Sequence, residues 1–140
     1  MSKANNKNMI WIATANLIYP ETSPSYLVSA SDIRQEISRL FSDSDNKITT
    51  TFQLTRHLIS WRDKDSDTAY DRQGGDRSRF LFQTSNGKTP SSKGKYRLYK
   101  KIDGEFDGSE KTGTIHPPKN SIPVKFHFLI DWYAHEYYAS

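Results

Sequence analysis

The sequence predicts an α+β domain, and three observations carry that prediction. Two apolar segments with helical spacing open the chain. Two short aromatic-rich runs then flank a Gly-, Ser- and Lys-rich stretch, as a β-hairpin does. A further run of helical spacing closes the sequence. At 140 residues the chain has the length of one domain, with little left over for a second. Only 34% of residues are hydrophobic, but 13% are aromatic. Each aromatic can bury roughly 150–250 Å², so a compact core is expected and wholesale disorder is not.

Residues 1–7 are polar and read as a disordered tail. Residues 9–19 place nine apolar or aromatic residues in eleven positions, broken only by Thr14 and Asn16. At that length the run predicts a helix buried on more than one face and stopped by Pro20. Tyr26-Leu27-Val28 is a short β-type run. Ser29 offers an N-cap, with Asp32 three residues on in the manner of a capping box. The following helix puts Ile33, Ile37, Leu40 and Phe41 on one stripe, with Arg34, Gln35, Glu36, Ser38 and Arg39 facing elsewhere. A third helix is expected over about residues 50–61, with Leu54, Leu58 and Trp61 inward. Its other face carries Gln53, Arg56, His57 and Ser60. Residues 62–76 read as a charged linker ending in Gly74-Gly75. Residues 79–83 and 95–99 read as strands, and residues 84–94 as a flexible basic hairpin tip. Residues 103–120 lack periodicity and read as a loop. In the last segment, 124–138, Phe126, Leu129, Ile130, Tyr133 and Tyr137 recur at helical spacing.

The order is helix, short strand, helix, helix, strand, basic tip, strand, helix. That is the order of a winged helix-turn-helix: a three-helix core, a β-hairpin wing and, here, an added C-terminal helix. A single domain spans residues 1–140, with its winged-helix core at 26–108 and the C-terminal helix at 121–140. Charge is distributed accordingly. Residues 47–101 carry thirteen Lys and Arg against five Asp and Glu. The segments on either side are slightly acidic, so the excess points to an anionic partner, most simply nucleic acid. Gln53, Arg56, His57 and Ser60 suit base edges in the major groove, since Arg can bridge to guanine and Gln to adenine. Thr50, Thr51, Lys88, Lys93, Lys95 and Arg97 suit phosphates or an adjacent minor groove.

Residues 78–99 also carry a resemblance. With Phe80-Leu81-Phe82 and Gly94-Lys95-Tyr96-Arg97-Leu98-Tyr99, they resemble the wing of small winged-helix domains often attached to restriction endonucleases. The resemblance reaches back through Ser31-Asp32-Ile33 and covers about residues 26–108. The chain departs from the pattern in its longer tip and in the polar linker at 62–76. What the resemblance implies is double-stranded DNA binding linked to restriction, defence or transcription regulation.

No set of residues converges on catalysis, and an enzyme is not expected. The chain has no cysteine, which excludes disulfides, thiolate metal sites and a cysteine nucleophile. The four histidines, His57, His116, His127 and His135, are scattered, with spacing unsuited to one metal. Asp63, Asp65, Asp67, Asp71 and Asp76 alternate with basic residues and lack the Glu-x-Lys pair of a restriction-type nuclease. Asp103, Asp107 and Gly108 lack the Glu and flanking helices of a calcium loop. No cofactor and no metal are expected. No run approaches the roughly 20 apolar residues of a membrane span, and residues 9–19 lack a cleavage signature. The expectation is a soluble cytoplasmic protein, nucleoid-associated if it binds DNA. An adaptor or inhibitor acting through protein contacts on the same scaffold is the alternative. The aromatic C-terminal helix has two readings, core packing against residues 9–19 and a homodimer seam.

Overall fold

The computed structural model of the chain describes residues 6–41, 60–62, 69–71, 80–87, 95–103 and 115–140. Its first helix, α1 (Asn6–Ile18), begins within the expected polar tail. Met9, Ile10, Trp11, Ile12, Ala13, Thr14, Ala15 and Ile18 are all buried. The burial on more than one face expected of this segment is therefore realised, and different elements cover its sides. Thr14 satisfies its buried hydroxyl by donating back to the Ile10 carbonyl at 2.8 Å. The helix stops before Tyr19-Pro20, where proline removes a donor and disfavours helical geometry in the residue before it.

The second helix, α2 (Ala30–Leu40), starts with the capping box read from the sequence. Ser29 Oγ accepts from the Asp32 N–H at 3.0 Å, and Asp32 Oδ2 accepts from the Ser29 N–H at 3.3 Å. Ile33 and Ile37 are buried, with Leu40 and Phe41 packed at the core margin. Glu36 departs from the expected solvent face: it is buried beside α1. Asn16 donates to its Oε2 at 2.7 Å, and Arg39 bonds both carboxylate oxygens. These bonds, the one from Arg39 foremost, hold the carboxyl below its ordinary range against the opposing effect of burial.

The expected third helix is contradicted at its end. Residues 50–59 lie outside the described residues, but Ser60 and Trp61 begin a strand, β1 (Ser60–Arg62). This strand pairs antiparallel with β2 (Ala69–Asp71), inside the segment read as a linker. Trp61 and Tyr70 are opposed in the ladder, and aromatics are favoured in strands. The backbone pairing outweighs the helical spacing that Trp61 shares with Leu54 and Leu58.

The hairpin formed by β3 (Leu81–Thr84) and β4 (Lys95–Leu98) lies where the sequence places it. Its register pairs Leu81 with Leu98, Phe82 with Arg97, Gln83 with Tyr96 and Thr84 with Lys95. On the far side of β4, Val28 forms an antiparallel bridge to Tyr96, with N–H···O distances of 2.9 and 2.8 Å. The spatial order is thus Val28, β4, β3.

The C-terminal segment is helical in three geometries. A 3-10 turn (Val124–Phe126) leads into α3 (His127–Trp132) and then a π-helical turn (Tyr133–Tyr137). Phe126, Leu129, Ile130, Tyr133 and Tyr137, the expected stripe, are all buried, and Trp132 joins them. The segment packs on α1. Trp11 meets Tyr133 edge-on at 5.6 Å, and Tyr19 meets Phe128 and Trp132 at 5.3 Å each. Of the aromatic rings of this helix only Phe128, at 44% exposure, opens substantially to solvent. One chain covers the rest, so the premise behind a homodimer seam, rings too many for one core, does not hold.

Candidate nucleic-acid interface

Of the expected contact residues the structure describes Ser60, Lys95 and Arg97, and the last two lie on β4. Lys95 opens β4 and is exposed, as is Lys101 beyond its end. Between them, the side chains of Arg97 and Lys100 are wholly buried. Arg97 is therefore closed to the phosphate contact expected of it. Alternation along the strand puts it on the outward face with Lys95, yet that face is covered at Arg97. Its Nη1 and Nη2 atoms donate to the two Asp103 carboxylate oxygens, both at 2.7 Å. Nε and Nη2 donate to the Gly87 carbonyl at 3.1 and 2.9 Å, and Nη1 to the Leu98 carbonyl at 3.0 Å. The guanidinium lies 4.5 Å from the centroid of the Phe82 ring, its partner across the ladder. The signal missed in the sequence is Asp103, which a short 3-10 turn (Lys101–Asp103) brings back beneath the strand.

Gly87 fixes the root of the tip. Its φ of +83° is open to glycine at little cost. A Cβ there would stand 2.2 Å from the Pro24 carbonyl oxygen. Its N–H donates to Thr84 Oγ1 at 2.9 Å, closing the first turn beyond β3. Gly87 is thus seated against the loop that follows α1.

Lys100 is held differently. Its ammonium donates to the carbonyls of Thr22 and Tyr137 at 2.7 and 2.8 Å and to Ser140 Oγ at 2.7 Å. It also lies 3.8 Å from the centroid of the Tyr137 ring. Desolvation, reinforced by Arg97 and opposed by Asp103, lowers its pKa to about 8.

Ser60 opens β1, so it does not share a helical face with the other base-reading candidates. Gln53, Arg56 and His57, with Thr50, Thr51, Lys88 and Lys93, lie outside the described residues. Among the described residues, no group of three His, Asp or Glu side chains could hold a metal ion. His116 Nδ1 lies 2.7 Å from the Pro117 carbonyl oxygen, and His127 Nε2 lies 3.2 Å from that of Ile122. Among the described residues, no helix is long and apolar enough to cross a membrane. No protein-family model matches the chain, and comparison with curated proteins and with solved structures yields no match.

Proposed function

We propose that the chain is a winged-helix domain that binds double-stranded DNA without catalysis, the β3–β4 hairpin serving as its wing. The observation that carries this reading is the antiparallel bridge from Val28 to Tyr96. It sets Val28, between α1 and α2, beside the second hairpin strand, in the order Val28, β4, β3. That adjacency of the hairpin to the segment joining two helices supports reading the hairpin as a wing beside them. Charge supports the partner. From residue 77 to residue 102 the sequence has eight Lys and Arg and no Asp or Glu. Of those that the structure describes, Arg97 and Lys100 are engaged internally, while Lys95 and Lys101 are exposed. In this reading Lys88, Lys93 and Lys95 meet phosphates, Thr50 and Thr51 assist, and Gln53, Arg56 and His57 read bases. The resemblance to wings attached to restriction endonucleases would place the protein in restriction, defence or transcription regulation.

A fluorescence titration with random-sequence duplex at two salt concentrations tests this. Binding should weaken steeply as salt rises, since each phosphate contact contributes about 0.9 to the log–log slope. Replacing Lys93 and Lys95 with alanine should flatten that slope by up to about 2 and weaken all duplexes alike. Arg56→Ala should instead narrow the gap between a selected site and random duplex, by roughly 1–3 kcal/mol. No binding at low salt overturns the reading in favour of a protein-contact adaptor on the same scaffold.

A further inference from the structure

Four consecutive residues leaving β4 are each held by the C-terminal segment. Tyr137 Oη donates to the Leu98 carbonyl at 3.5 Å, and Tyr133 Oη donates to the Tyr99 carbonyl. The Lys101 N–H donates to the Tyr138 carbonyl at 2.9 Å. Lys100 sends its ammonium into the same segment, at Tyr137 and Ser140, and across the fold to Thr22.

An ammonium has three N–H groups, and three oxygens within 2.8 Å take all of them. The Ser140 carbonyl stands slightly farther, at 3.3 Å. The charged and titratable groups around it are Arg97, Asp103 and the phenol of Tyr137. Asp103 is committed to Arg97 through two 2.7 Å bonds and to the Lys100 backbone N–H. Among the described residues Lys100 thus shares no side-chain ion pair, and main-chain oxygens, a hydroxyl and a ring face receive its charge. Burying a cation in this way is costly. The geometry gained is a joint between three segments distant in sequence.

We propose that Lys100 is an internal bolt that fixes the pose of the β3–β4 hairpin by joining the exit of β4 to the turn after α1 and to the C-terminal turn. It is a positioning residue that touches no partner. The joint stands on the hydrogen bonds alone, whereas its consequence for a duplex rests on the proposed function.

Lys100→Met keeps most of the length of the side chain and removes its ammonium donors. Amide hydrogen exchange is followed at Val28, Tyr96 and Lys101, with α1 amides such as Ile12 and Ala13 as the internal reference. The hairpin amides should exchange about tenfold faster relative to α1. The folded variant should also bind random duplex several-fold more weakly than wild type. Equal acceleration throughout, or none, overturns the bolt. Faster hairpin exchange with unchanged duplex affinity overturns its role in presentation. If wild type binds no duplex, the DNA reading fails while the exchange ratio still decides the joint. Should Lys100→Met not fold, Ser140→Ala removes one acceptor and should give the same ranking more weakly.

Discussion

All five N–H groups of Arg97 find acceptors inside the protein, on Gly87, Leu98 and Asp103. Asp103 accepts three bonds in return, two from the guanidinium and one from the Lys100 backbone. A pair so enclosed is stabilising only while both members are present, because either alone is a buried, uncompensated charge. Asp103→Ala should therefore cost about 3–5 kcal/mol in urea unfolding. The double variant Arg97→Met, Asp103→Leu should lose clearly less than the sum of the two single changes. Strict additivity would show that the two side chains are not coupled. The sequence shows why Arg97 misleads. Its alternation with Tyr96 and Leu98 is that of a half-exposed strand. The carboxylate that draws it inward lies six residues on, at the start of a segment without periodicity.

At the scale of elements, the C-terminal segment is a structural member of the core. Leu129, Ile130, Trp132, Tyr133 and Tyr137 are all buried, and each buried aromatic removes roughly 150–250 Å² from water. At about 25 cal/mol per Å² that is several kcal/mol per ring, against a whole-domain stability of about 5–15 kcal/mol. Deleting residues 121–140 should abolish cooperative thermal unfolding, and a native-like melt of the truncated chain would contradict this. The elements legible in the sequence are those specified by near neighbours. Pro20 ends α1, Ser29 and Asp32 start α2, and the alternation of residues 95–98 marks β4. The β1–β2 hairpin was not legible. Trp61 continues the 3.6-residue stripe of Leu54 and Leu58, and Ser60 continues the opposite face of Gln53, Arg56 and His57. Their partners at 69–71 sit among charges of both signs. Cross-strand pairing between two such segments leaves no local mark. The candidate site divides in the same way. Lys95 is exposed as alternation implies, while Lys100, outside every periodic segment, gave no sign of its role at the hairpin root.

For the whole molecule, the buried cation and the buried phenols set opposite pH dependences. Desolvation, with Arg97 adding to it, lowers Lys100 from its ordinary 10.5 to about 8 in the folded protein. Below about pH 8 the ammonium is charged in both states, and the folded state bears the cost of burying it. Between about 8 and 10.5 the folded state has released this proton while the unfolded chain retains it. The unfolded state then binds more protons, so stability rises with pH across that window, by about 1–3 kcal/mol. The tyrosines act in the opposite sense. Burial raises Tyr133, Tyr137 and Tyr138 above the ordinary value of 10. Their unfolded counterparts ionise first as pH climbs past that value, and the folded state is then disfavoured. Thermal melts of wild type from about pH 7 to about pH 11 should rise to a maximum between about 8 and 10 and then fall. Lys100→Met carries the tyrosines but not the amine. Its melting temperature should lack the rise and keep the fall, so matching profiles for the two proteins would show that Lys100 does not titrate in this window.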